Sequence, residues 1–196
     1  MRRTILTAAA SAAVLAGLIT GSAGAEGHKH PHGRAAQAAG ITDLRLTASN
    51  PQLAACMPHA SVKVTDISTA DQLGFDKLKV RARGLAPDRD YTVFLLETAG
   101  APFGAAEYLG DITTNKNGNA DNTFKAIIDE AFSSQIVNGE RHRVDLNQVG
   151  MWFADPAADD FCAAAPGING ITPFDGDNEA GVQAFNSANT QPLPAP

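Results

Sequence analysis

Apolar and polar residues alternate along much of the chain with a period of two, which is typical of half-buried β-strands. The run 75–83 is the clearest case, because its apolar positions alternate with four basic residues that mark the solvent face of an antiparallel sheet. The run 91–97 is more continuously apolar and is predicted to be a central strand. Further strands are predicted at 41–46, 60–68, 108–113, 120–126 and 149–154.

Short signals between the predicted strands indicate turns and one helix. Asn117-Gly118 favours a type I′ hairpin, since both residues tolerate the positive φ that this turn requires. Apolar residues spaced by four predict a short helix within 127–136, and Arg141-His142-Arg143 is predicted to lie in a loop. About seven strands with turns between them predict an all-β protein, an antiparallel β-sandwich over residues 41–162.

The first 25 residues have the three parts of a signal peptide. Arg2 and Arg3 are followed by an uncharged apolar run at 5–20 and by Ala23-Gly24-Ala25, a small-x-small cleavage site. A membrane span is the alternative, but the run is shorter than the roughly 20 residues that a bilayer requires. We therefore expect segment 1–25 to be removed and the mature protein to be secreted into an oxidising, extracellular environment.

Residues 26–40 are rich in Gly, Ala and His without periodicity, which predicts a flexible, His-rich arm. If cleavage follows Ala25, the new terminal amine, two amide nitrogens and the imidazole of the third residue provide four planar nitrogens. Cu(II) and Ni(II) prefer this arrangement. A solvated arm with only adventitious metal affinity is the alternative, and no other cofactor is expected. The candidate ligands are Glu26, Gly27, His28, His30 and His32.

The chain has two cysteines, Cys56 and Cys162. In an exported chain such a pair predicts one disulfide, which would close a loop of about a hundred residues and stabilise the fold by at most about 4–5 kcal/mol. Two free thiols or a redox pair are the alternatives, and the sequence lacks the C-x-x-C spacing that would favour a redox pair.

The acidic balance of the chain bears on its partners. The formal net charge is −6, and it becomes −8 when Arg2 and Arg3 leave with the signal peptide. This charge argues against nucleic acid, whose phosphates require clustered Lys and Arg, and against docking on anionic lipid. The sequence shows no apolar C-terminal tail and no cysteine at the cleavage site, so no membrane anchor is expected. It does not specify an oligomeric state.

Residues 163–196 contain many Pro, Gly and Asn, which predicts an extended tail with 171–174 and 182–185 laid against the domain. Trp152 and Phe153 adjoin on a predicted strand, so one ring points into the core and the other points outward. We expect this tail to cover the outward ring, and an exposed binding patch is the alternative.

The segment 84–93, Gly-Leu-Ala-Pro-Asp-Arg-Asp-Tyr-Thr-Val, resembles the G-L-x-P-x-x-x-Y-x-V segment of fibronectin type III and related immunoglobulin-like domains. The resemblance implies an immunoglobulin-like β-sandwich in which the tyrosine forms a corner between strands of opposite sheets. It implies a fold and no activity, since such sandwiches carry many unrelated sites. The residues that carry the resemblance are Gly84, Leu85, Pro87 and Tyr91.

A second segment, 109–120, resembles the G-D-[LI]-…-[DN]-G-x-A hairpin of copper–zinc superoxide dismutases, which are also secreted sandwiches. That activity requires a cluster of histidines and an aspartate. Outside the arm this chain has only His59 and His142, and Tyr108 precedes the segment. The resemblance therefore implies a shared hairpin without the metal ligands.

The sequence contains no recognisable catalytic motif. Ser133-Ser134 lacks a nucleophile turn, and phosphate loops and dinucleotide glycines are absent. We therefore expect a secreted, non-catalytic binding or envelope-associated module whose ligand the sequence does not specify, with a cell-envelope protein or polysaccharide as the candidate partner. One alternative is a periplasmic or extracellular copper-binding protein that uses the N-terminal arm, and another is a hydrolase that uses scattered carboxylates.

Overall fold

The computed structural model describes residues 40–69, 73–155, 180–190 and 192–194. These residues form an eight-stranded sheet, a separate two-stranded sheet and one short helix, and every strand pairing is antiparallel. The predicted all-β class is therefore confirmed. The elements are β1 (Ile41–Ala48), α1 (Pro51–Cys56), β2 (Ser61–Ile67), β3 (Asp76–Arg83), β4 (Asp90–Leu96), β5 (Ala106–Thr113), β6 (Ala120–Ala126), β7 (Phe132–Val137), β8 (Glu140–Asp145), β9 (Gln148–Phe153) and β10 (Gln183–Asn186).

The large sheet curls until its two ends approach each other. Its strand order is β5-β4-β9-β10-β1-β2-β3-β6, so β5 and β6 lie at opposite ends of the order. Gly110 on β5 nevertheless lies against the ring of Phe124 on β6, since a side chain added at Gly110 would be 2.9 Å from that ring. The Asn122 side chain also donates to the carbonyl oxygen of Asp111 at 3.1 Å. The sheet is therefore nearly closed and barrel-like.

The first strand joins the two halves of this sheet. Residues 41–46 of β1 pair with β2, whereas Thr47 and Ala48 pair with β10. β10 lies between β1 and β9, although its residues belong to the segment that was expected to be an extended tail. The folded part of the chain therefore continues beyond Cys162.

The two-stranded sheet, β7 and β8, replaces the helix predicted within 127–136, and that prediction is wrong. Phe132 and Ile136 fit a helical spacing of four, but they also occupy alternate positions of a strand. The two-residue turn Asn138-Gly139, with φ of 53° and 86°, joins the strands as a type I′ turn requires. Arg141-His142-Arg143 lies within β8, so the loop predicted for these residues is also wrong.

The turn predicted at Asn117-Gly118 differs from the observed connection. Only Gly118 has a positive φ, of 70°, and β5 and β6 are not paired in a hairpin ladder. The Asn115 side chain instead accepts hydrogen bonds from the backbone N–H groups of Asn117 and Asn119. A side chain at Gly118 would collide with the Leu85 carbonyl oxygen, so this tight loop packs directly on the backbone at Leu85.

The helix of the described residues lies between β1 and β2. Asn50 caps its N-terminus by accepting a hydrogen bond from the Leu53 N–H at 2.9 Å, and Pro51 occupies the first turn. Leu53 is fully buried and anchors the helix to the core. Cys56 is its last residue and is half-buried.

Aromatic residues pack on both faces of the large sheet. Phe153 lies in the main core with its ring centroid 4.9 Å from that of Tyr91. Trp152 points to the opposite face, where it is fully buried in a second cluster with Phe94, Phe103 and Ala180. The outward ring is therefore covered, as expected, and Phe103 of the loop between β4 and β5 shares this role with Ala180 of the C-terminal segment.

Candidate functional site

All five residues predicted to bind metal lie outside the described residues, namely Glu26, Gly27, His28, His30 and His32. Cys162, predicted to form the disulfide, also lies outside them. Copper binding by the N-terminal arm therefore stays a prediction.

The histidines of the described residues lie on separate elements. His59 is exposed in the turn that follows α1, and His142 is exposed on β8. Among the residues that the structure describes, no group of three or more His, Cys, Asp or Glu side chains is arranged to hold a metal ion.

The segment that resembles immunoglobulin-like domains contributes to the core. Tyr91 is fully buried, and this burial raises the pKa of its hydroxyl group, while a hydrogen bond with the Ala86 backbone lowers it. Leu85 is buried beside it, whereas Pro87 is exposed at the bend. Gly84 has a φ of +66° and lies so close to the His59 carbonyl group that a side chain would collide with it. Gly84, Leu85 and Tyr91 therefore shape the fold at this segment.

Basic side chains cover one face of the half-sheet formed by β1, β2, β3 and β6. In these strands buried residues alternate with exposed or half-buried ones, so one set of side chains faces the core and the other points away from it. We call the outward set the cationic face. Its basic residues are Arg45, Lys63, Lys77, Lys79, Arg81, Arg83 and Lys125, and its acidic residues are Asp43 and Asp121.

The register of the strands places like charges opposite each other on the cationic face. Like charges at directly opposite positions of neighbouring strands destabilise a sheet, by up to roughly 1 kcal/mol for each pair. The directly opposed basic pairs are Arg45 with Lys63, Lys63 with Arg81, and Lys77 with Lys125.

The two acidic residues neutralise only part of this charge. Asp43 forms an ion pair with Lys63 at 2.8 Å, and hydrogen bonds from Lys63 and Thr65 lower the pKa of the Asp43 carboxyl group. Asp121 lies 2.6 Å from Arg83 and 3.4 Å from Arg81.

Four basic residues of the face have no carboxylate within ion-pair distance. Within the described part of the chain, Arg45, Lys77, Lys79 and Lys125 have no ion-pair partner, and the Lys125 ammonium group lies 5.3 Å from the centre of the Phe75 ring. Their charges are therefore available to an external anion.

An open groove lies at one border of the cationic face. Its volume is about 460 Å³. Residues of β1 and β2, among them Arg45 and Lys63, form one wall, and Asn189 and Thr190, which follow β10, form the other. The Asn189 side chain donates to the Thr47 hydroxyl at 3.2 Å and so connects this wall to β1.

No protein family, curated protein or solved structure matches this chain. The chemistry of the cationic face is therefore the basis for a functional interpretation. Of the helices within the described ranges, none has the length and apolar character needed to cross a membrane.

Three carboxyl groups meet on the core side of the same half-sheet. The Asp76 carboxylate accepts backbone hydrogen bonds from Thr69 at 2.7 Å, Ile128 at 2.9 Å and Asp129 at 3.2 Å. The Asp129 carboxylate accepts a hydrogen bond from the Ser68 hydroxyl. Asp66 on β2 is fully buried beside them. This cluster connects β2, β3 and the segment that follows β6.

The environment of Asp66 favours its neutral form. Burial raises the pKa of Asp66 to about 8, and the adjacent carboxyl group of Asp129 and the charge of Asp76 act in the same direction. Hydrolysis by paired carboxylates requires both groups to reach a substrate. Because Asp66 is fully buried and Asp129 is only 8% exposed, this pair is closed to substrate in the observed conformation.

Part of the cationic face could be predicted from the sequence, but none of the buried carboxyl cluster was predicted. The four basic residues of β3 were evident from alternation, but Arg45, Lys63 and Lys125 join them only through the strand register. A signal for Asp66 was present, because it follows Val62 and Val64 in the same phase of β2 and must therefore face the core.

Proposed function

We propose that this chain is a secreted, non-catalytic binding module of the cell envelope and that the cationic face is its binding surface. The observation that carries the proposal is the segregation of charge. The described residues include 14 acidic and 11 basic ones, yet one face of one half-sheet carries seven of the basic residues and only two of the acidic ones.

The energetics of the cationic face support binding of an anion. Three directly opposed basic pairs lower the stability of the sheet, and the two carboxylates relieve only part of the repulsion. An anionic ligand would remove the remaining repulsion and would form charge-assisted hydrogen bonds with the same side chains. The arrangement therefore costs stability in the free protein and favours the bound state.

We further propose that the nearly closed sheet is a β-sandwich of the immunoglobulin-like kind. Its two halves share β1, and the buried Tyr91 lies at the start of β4 with its hydroxyl near the Ala86 backbone. Copper–zinc superoxide dismutases share the sandwich architecture, and the segment that resembles their hairpin connects β5 to β6 here. The proposed relationship concerns the fold alone.

We also propose that Cys56 and Cys162 form a disulfide. No cysteine among the described residues is a free thiol, and Cys162 is the only other cysteine of the chain. Peptide mapping under non-reducing conditions is expected to recover a single cross-linked peptide that contains both residues. Recovery of both cysteines in alkylated form, from native protein that has not been reduced, would show that the bond is absent.

The proposed binding role is tested by retention of the full chain on isolated envelopes of the producing cell. We expect Lys77→Glu/Lys79→Glu to reduce retention at least about tenfold, since each change replaces an attraction with a repulsion. The matched control is Arg141→Glu/Arg143→Glu, which changes the net charge equally on β8, outside the cationic face.

Thermal unfolding of both variants checks that each one folds. Full retention of the Lys77/Lys79 variant, or equal losses in the variant and the control, would contradict the proposed surface.

A further inference from the structure

The cationic face is a regular array of charges. Strands in a sheet lie about 4.7–4.9 Å apart, and alternate residues of one strand are about 6.6–6.8 Å apart. Arg45, Lys63 and Arg81 form a row across β1, β2 and β3, because each is paired in register with the next. The basic residues of β3 form a second row along the strand, which crosses the first at Arg81. The array matches a ligand with repeated charges better than a single small anion.

The distribution of charge over the chain restricts the shape of the ligand. Of the 14 acidic residues that the structure describes, only two lie on the cationic face, so the other described regions carry 12 acidic and four basic residues. A broad anionic body such as a membrane or a DNA duplex would also approach those acidic regions. The Debye length at physiological salt is about 8 Å, so a thin chain that stays on the face interacts mainly with its basic residues.

The types of basic residue on the cationic face bear on which charged group the ligand carries. Four of the seven are lysines, which bind phosphate as point charges, and three are arginines, whose planar fork matches phosphate as well as carboxylate. Three of the lysines, Lys77, Lys79 and Lys125, have no ion-pair partner within the described residues. Phosphate is therefore a charged group that all seven basic side chains can bind.

From these observations, and resting on the proposed binding function, we infer that the cationic face binds a linear polymer of repeating phosphate groups. A single polymer chain lies across β1, β2, β3 and β6 and contacts several of the basic side chains at once. No individual contact is strong, and the affinity arises from their number.

The inference is tested with the full chain and long-chain inorganic polyphosphate as the probe. We expect the affinity per polymer chain to rise with polymer length, whereas inorganic orthophosphate shows no measurable competition at equal phosphate concentration. The logarithm of the binding constant is expected to fall linearly with the logarithm of salt concentration, with a slope of about −0.7 for each contact. Lys77→Gln/Lys79→Gln should therefore make the slope shallower by about 1.4 and lower the affinity at least about tenfold. Arg141→Gln/Arg143→Gln should change neither quantity.

Comparison ligands separate this inference from its alternatives. Tighter binding of a polyuronate would overturn the assignment to phosphate, and tighter binding of anionic vesicles or duplex DNA would overturn the assignment to a linear chain. If polyphosphate does not bind while envelope retention still depends on Lys77 and Lys79, the inference is wrong and the proposed function stands. If polyphosphate does not bind and envelope retention does not depend on Lys77 and Lys79, both the inference and the proposed function are wrong.

Discussion

Replacing Asp66 by Asn is expected to make the protein more stable than the wild type at pH 8 and above. The folded wild type holds a proton on Asp66 up to a pKa of about 8, whereas an unfolded chain releases it near pH 4. Between these two values the folded state binds the additional proton, so the free energy of unfolding falls as the pH rises. The stability contributed by this group is complete below about pH 4 and is lost by about pH 8.

The Asp66→Asn substitution would remove this loss, because an amide side chain does not titrate. One pKa unit corresponds to about 1.4 kcal/mol, which sets a ceiling of about 5 kcal/mol on the gain at pH 8. We expect a gain of a few kcal/mol, below this ceiling, because an amide does not reproduce all the contacts of the protonated carboxyl group. The introduced amide can also donate a hydrogen bond to Asp129 at a pH where the Asp66 carboxyl group no longer can.

Urea unfolding at pH 5 and at pH 8.5 measures this effect. The wild type should lose stability between these two conditions, and Asp66→Asn should lose markedly less. Asp88→Asn is the matched control, since Asp88 is exposed and its φ of 51° suits Asn. An Asp66→Asn variant whose pH dependence equals that of the wild type would show that Asp66 is ionised in the folded protein.

Replacing Asp76 by Ala is expected to destabilise the fold by about 3 kcal/mol or more. Asp76 is fully buried and accepts hydrogen bonds from the backbone N–H groups of Thr69, Ile128 and Asp129. Each buried donor left without an acceptor costs about 1–3 kcal/mol. Since the three donors belong to the segments that follow β2 and β6, the loss also detaches those segments from β3.

The measurement is best made at pH 5, where Asp66 is protonated in the folded protein and does not contribute to the difference. Asp76→Asn retains one acceptor oxygen, so its free energy of unfolding should lie between those of the wild type and Asp76→Ala. A loss below about 1 kcal/mol for Asp76→Ala would mean that water or other groups replace the lost acceptor.

Alternation of residue types predicts the strands that have one buried face. β2, β3 and β6 follow their predicted ranges closely because most of their core-facing positions, which recur at every second residue, are apolar. The same rule fails for β7, whose Phe132 and Ile136 are 55% and 68% exposed. That strand is specified by the Asn138-Gly139 turn and its pairing with β8, and the apolar pattern alone also allowed a helix.

Much of the cationic face could not be predicted, because it depends on contacts between strands distant in sequence. Arg45 lies 36 residues before Arg81, and neither position indicates that Lys63 will align between them. Net charge did not predict the cationic face either. It sums the charges of the whole chain and does not show that basic and acidic residues lie on different parts of the surface. The inward position of Asp66 could be predicted from the sequence, because Asp66 continues the alternation of Val62 and Val64. A buried carboxyl group requires polar partners, and the sequence does not show which residues supply them.

The place of β10 in the sheet bears on when the protein can fold. β10 is the last of the described strands in chain order, yet it lies between β1 and β9. A ribosome therefore completes the other nine described strands before the strand that pairs with both β1 and β9 emerges. Pairing between such distant segments is slow, because it must first overcome the entropy of closing a long loop. For a chain that we propose is exported, this topology delays the final pairing and so favours passage through a translocation channel in an unfolded state.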